Sequence, residues 1–127
     1  MAAALYTETP VAYDLAQYLL ASQKVTTGLT ATASGTQTTA LALTAAANSV
    51  DTVATAADSV KLPLAVAGLS VFVVNTAANS MQVFGSGTDT INAVATATGV
   101  AQAGGKSALY VCTASAPAGK WFRLLSA

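Results

Sequence analysis

The spacing of apolar residues changes along the chain, and the change divides it in two. Near the N-terminus Val11, Leu15, Tyr18 and Leu19 recur at i, i+4, i+7 and i+8, the spacing of one helix face. Thr9 followed by Pro10 reads as an N-cap with proline at the first helical position. Together they predict a short helix over residues 10–22. A helix of about three turns is marginal in water unless its apolar stripe docks on something. The stripe has two possible homes: its own domain, or a neighbouring subunit reached as an arm.

Beyond residue 26 the period falls to two. Leu41 and Leu43 alternate with Ala40, Ala42 and Thr44 inside a Thr/Ala/Ser/Gly text, and threonine favours strands. Val60 and Leu62 alternate with Ser59 and Lys61, and Pro63 closes that strand. Residues 69–74 (LSVFVV) form the strongest strand signal. Residues 75–79 (NTAAN) read as a hairpin connection to a returning strand at 80–84. Ile91 and Val94 mark a shorter strand, residues 103–106 turn into a strand at 107–112, and residues 116–119 lead into a last strand at 120–125. Short strands punctuated by Gly, Pro and Asn predict an all-β domain, an antiparallel β-sandwich or barrel. The expected division is an N-terminal arm or short helix over 1–27 and a β-domain over 28–127.

Two strands do not alternate. In Val71-Phe72-Val73-Val74 and in Leu109-Tyr110-Val111-Cys112 both faces are apolar, whereas a sheet with one wet face alternates apolar and polar. Another layer must cover the second face, and for a β-chain of 127 residues the expected cover is another subunit. Phe72 and Tyr110 are therefore candidate interface residues. Tyr6, Tyr13 and Tyr18, amphipathic side chains suited to interfaces, join them with Leu5.

Composition sharpens this picture. Hydrophobic residues make up 54% and charged residues 8%, with five cations, five anions and no histidine. Thirty alanines and eighteen threonines account for much of the apolar content, so the excess is methyl-sized. Charge is depleted from interface cores, and a chain of zero net charge is poorly protected against association. Both suit an obligate homo-oligomer. Five scattered cations make no basic stripe for phosphates, so no nucleic-acid partner is expected. No window approaches the ~18–20 unbroken apolar residues of a membrane span, and the first residues lack the positive n-region of a secretory signal. A single cysteine makes no internal disulfide, which favours synthesis inside a cell.

Without histidine the usual nucleophile–histidine arrangements and histidine-based zinc sites are unavailable. The acids Glu8, Asp14, Asp51, Asp58 and Asp89 show no informative pairing. No enzyme, cofactor or metal site is expected. Cys112 lies mid-strand and reads as a structural thiol. The run Gly85-Ser86-Gly87-Thr88-Asp89 lacks the lysine and following helix of a phosphate loop and reads as a β-turn whose aspartate caps the next segment. Trp121 and Phe122 follow a turn near the C-terminus. Trp121 is expected to close the core, the alternative being a sugar-stacking platform.

One longer cadence remains, from Asp51 to Trp121: Asp58-Ser59-Val60-Lys61-Leu62-Pro63, then Ala67-Gly68, a strand ending in Asn75, Ala78-Asn79-Ser80-Met81-Gln82-Val83-Phe84, Gly87-Thr88-Asp89-Thr90-Ile91-Asn92, Gly99-Val100, a strand ending in Cys112, and Gly119-Lys120-Trp121. It resembles a small β-domain of tailed-bacteriophage virion proteins, found among head decoration (cement) proteins and head or tail fibre proteins. The resemblance implies a structural protein on the outer surface of the capsid. It would be synthesised in the host cytoplasm, trimeric, and bound to the major capsid protein, with Leu5, Tyr6, Tyr13 and Tyr18 as anchors. The alternative it carries is a receptor- or glycan-binding module of a fibre.

Overall fold

A computed structural model describes residues 23–127, and these contain ten strands and no helix. In chain order they are β1 (Val25–Thr30), β2 (Leu41–Ala42), β3 (Ala47–Thr52), β4 (Ser59–Lys61), β5 (Ser70–Asn75), β6 (Met81–Phe84), β7 (Thr90–Ile91), β8 (Val100–Gln102), β9 (Ser107–Ala114) and β10 (Lys120–Leu125). One sheet has six strands in the order β1-β3-β5-β9-β10-β7, the other four in the order β2-β4-β6-β8. The helix expected over 10–22 lies outside the described residues. β1 begins before residue 28, so the boundary expected between 27 and 28 falls inside a strand.

The expectation of strand-rich structure stands, and that of purely antiparallel pairing is corrected. The first six strands alternate between the two sheets, so the chain winds as a coil. Val25 pairs with Ala47, 22 residues on, and Ala47 with Phe72, 25 residues on, both parallel. In the second sheet Leu41 pairs with Val60 and Val60 with Val83, 19 and 23 residues on, again parallel. Parallel neighbours need a crossover, and here the crossover is a visit to the opposite sheet. Between strands, antiparallel pairing enters only afterwards, where β9 lies against β5, β10 against β9 and β8 against β6, while β7 runs parallel to β10.

Residues 75–79 therefore do not close a hairpin. They form an arch from one sheet to the other, because asparagine side chains tie this arch to its neighbours. The Asn75 amide donates to the carbonyls of Asn79 and Gln102, and its Oδ1 accepts from the Ala77 N–H. The Asn79 amide donates to the carbonyls of Val53 and Ala54, in the arch one coil earlier. Asp58, in that earlier arch, repeats the device: its carboxylate accepts from the N–H of Ser34 (3.2 Å), one coil back, and from that of Thr55 (3.0 Å) in its own arch. Backbone groups that no strand ladder serves are satisfied this way, as burial demands.

The inward faces of both sheets meet in one core. Val50, Val71, Val73, Tyr110, Cys112 and Trp121 come from the six-stranded sheet, and Val60, Met81, Val83 and Val100 from the four-stranded one. A polar bridge crosses this core. The Tyr110 hydroxyl donates to Gln102 Oε1 at 2.7 Å, and Gln102 Nε2 donates to the carbonyls of Val73 and Lys106, each at 3.0 Å. β8 is thereby linked to β5 and β9. Burial pushes the Tyr110 phenol up to about 12, against the opposing pull of Arg123, so the hydroxyl keeps its proton and donates.

Candidate functional site

Alternation in the long strands sorts each candidate to one side of the sheet. In β9 the inward residues are Ala108, Tyr110 and Cys112, while Leu109 and Val111 point outward. In β5 Val71 and Val73 point inward, and Phe72 and Val74 outward. The placement of Tyr110 at an interface is corrected: the side chain has no exposed surface and its hydroxyl is spent on Gln102. Phe72 lies on the outer face, 40% exposed. The remaining candidates, Leu5, Tyr6, Tyr13 and Tyr18, lie outside the described residues.

The register places outward apolar residues in rows. Val25, Ala47, Phe72, Leu109 and Leu124 are successive partners across β1, β3, β5, β9 and β10. Ser70, Val111 and Phe122 form a second row, and Ser49, Val74 and Ser107 a third. None of these residues is charged, although Leu124 is 68% and Phe122 48% exposed. Phe72, Leu109, Leu124 and Leu125, with Ser107 and Ser126, line a shallow depression of about 290 Å³. Five strands ~4.8 Å apart make the first row about 19 Å long; the other two rows cross three strands each, about 7 Å to either side, and the patch covers roughly 360 Å² in all, its serines included. That is within the range of the largest apolar patch on an ordinary monomer, which is often functional. Sequence reasoning reached Phe72 but missed Leu109, Phe122 and Leu124. Their signal was the double-sided apolar pattern, read without knowing which side faced in.

The other chemical candidates are structural. Trp121 is fully buried and closes the core, so its own ring offers no face to a sugar, while Phe122 beside it is half-exposed. Cys112 is buried, with Sγ 3.2 Å from the Ala114 carbonyl. The run 85–89 does turn, with the Asp89 N–H donating to the Ser86 carbonyl. Asp89, however, does not cap the segment that follows. Its carboxylate is buried and accepts from the Ala65 N–H on Oδ2 and the Gly119 N–H on Oδ1, both at 2.9 Å. One carboxylate thus clamps the β4–β5 loop to the β9–β10 turn. A Cβ at Gly119 would overlap the Ala65 methyl and crowd that carboxylate. At the other end of the sheet, Asp51 accepts from Ser49, Thr76 and the Gly28 N–H. These bonds, the Ser49 hydroxyl first, hold its carboxyl below the usual range. The Gly28 contact fixes an irregularity where β1 slips register against β3 at a glycine with φ +69°.

Among the described residues no three metal-ligating side chains lie together, and no helix is long and apolar enough to cross a membrane. The surface that stands out chemically is the apolar outer face of the six-stranded sheet. No protein-family model matches the chain, nor does any curated protein or solved structure.

Proposed function

We propose that the protein is a structural subunit that works by self-assembly: a homotrimeric decoration protein on the outside of a tailed-phage head, stabilising contacts between major capsid subunits. The observation that carries the reading is the uncharged row Val25, Ala47, Phe72, Leu109 and Leu124 on an open sheet face. An apolar surface of this kind gains about 25 cal/mol for each Å² withdrawn from water, and nothing in its chemistry serves a reaction. The body behind it, two sheets enclosing one core, is read as a two-layer sandwich-like domain that presents the face rigidly. The phage assignment itself rests on the residue cadence from Asp51 to Trp121.

Function on a capsid would follow from repetition. A trimer that engages several lattice sites at once converts weak single contacts into tight attachment through effective concentration. Leu5, Tyr6, Tyr13 and Tyr18 are the proposed anchors to the major capsid protein. The test is the number of copies on purified particles. A number near that of the capsid subunits supports decoration; a handful per particle, or none, rejects it.

A further inference from the structure

Two open sheets have four edges, here β1 and β7 on one sheet and β2 and β8 on the other. An edge strand presents unpaired N–H and C=O groups on which another chain can pair. Charge repulsion between copies is no defence in this protein, because five cations and five anions leave no net charge. Each edge must therefore be protected where it lies. β2 and β7 are only two residues long, and β1 slips register at Gly28, so these three offer little straight edge. The exposed length is along one seam of the domain. There β8 ends the four-stranded sheet, and β7 covers only Lys120 and Trp121 of the six-residue β10.

Two side chains occupy this seam. The Asn92 N–H donates to the Trp121 carbonyl, and the chain then turns away from β10 with Asn92 at φ +52°. Asn92 Oδ1 accepts the next donor along β10, the Arg123 N–H, at 3.0 Å. Arg123 Nη1 reaches across to β8 and donates to the Ala101 carbonyl at 2.6 Å. Arg123 is the only arginine of the chain and one of five cations, and its guanidinium is spent on a strand edge. We infer that Asn92 and Arg123 form an edge guard. They cap backbone groups of β10 and β8, keep the seam from accepting a strand of a second copy, and confine association to surfaces made of side chains. The guard acts whether or not the protein decorates a capsid.

The test uses full-length protein. Arg123→Ala with Asn92→Gly uncaps both strands, and glycine keeps the positive φ at 92 free of strain. At equal micromolar concentration the variant should sediment as species larger than wild type and raise thioflavin T fluorescence. Amide hydrogen exchange over residues 100–102 and 122–125 should slow as those species form. Urea unfolding read by Trp121 shows whether the double variant is folded; if it is not, Asn92→Gly alone, which uncaps only the Arg123 N–H, is put through the same measurements. A folded variant with wild-type sedimentation and no thioflavin T response overturns the guard. So does association that leaves exchange in both strands unchanged, since the copies would then meet elsewhere.

Discussion

Asp89 offers a quantitative test of how the domain is held together. Its carboxylate is the acceptor for two backbone N–H groups, those of Ala65 and Gly119, 24 and 30 residues away. Asp89→Ala removes both acceptors and adds a small void. Each buried donor left unsatisfied costs about 1–3 kcal/mol, so the loss should be about 2–6 kcal/mol. Against a typical total of about 5–15 kcal/mol, that is a large share of the stability. Asp89→Asn is nearly isosteric but should fare little better. One amide oxygen still accepts, while the new NH₂ faces the other N–H, donor against donor. Urea unfolding followed by the fluorescence of buried Trp121 measures both, at one fixed protein concentration because any self-association would add to apparent stability. The midpoint should fall while the slope stays unchanged. A loss under about 1 kcal/mol in both variants would refute the clamp, since two stranded buried donors cannot cost so little.

Three further outcomes follow from the same geometry. Tyr110→Phe strands Gln102 Oε1 in the core and should cost about 1–3 kcal/mol in the same urea assay. Because the folded Tyr110 pKa lies near 12 and an unfolded tyrosine titrates near 10, its contribution is complete below about pH 10 and lost as pH rises toward 12. Thermal melts across that window should fall less steeply for Tyr110→Phe than for wild type. Asp51 has the opposite sign. Its depressed pKa makes its contribution present above the unfolded carboxylate range and lost as pH falls through the folded value, so Asp51→Asn should lower stability at pH 7 and flatten the acid limb of a pH–stability curve. Gly119→Ala should destabilise in the urea assay by forcing a methyl against Ala65 and Asp89; an unchanged midpoint would contradict that crowding.

The long strands were legible in place. β5, β9 and β10 fall where short runs of β-branched and aromatic residues bounded by Gly, Pro and Asn place them, because strand propensity and turn punctuation are local properties. The coil was not legible in the same way. Parallel pairing joins residues 19 to 25 apart, and the Thr/Ala text of the first coil gives no period to align. A signal did exist. Ala56-Ala57-Asp58-Ser59 and Ala77-Ala78-Asn79-Ser80 are successive arches, each with an Asp or Asn reaching back one coil. β8 was missed because Val100–Gln102 is short and its inward Gln102 breaks the apolar pattern. That same glutamine explains the misplacement of Tyr110. A strand apolar on both sides does not declare which side is buried, and the partner that draws the phenol inward lies eight residues away on another strand. The outer face was inferred in kind but not in place: low charge and double-sided strands pointed to a covered surface, and only the register showed that Phe72, Leu109 and Leu124 share it.

Assembly through this face is read out by sedimentation equilibrium of the full chain at micromolar concentration and neutral pH, with wild type beside Leu109→Asp/Leu124→Asp. Both positions are exposed in the subunit, so the variant should keep the cooperative urea transition and buried-tryptophan emission of a folded domain. Wild type should sediment as a trimer and the variant as a folded monomer. A monomeric wild type, or a variant that remains trimeric, would contradict assembly through this face.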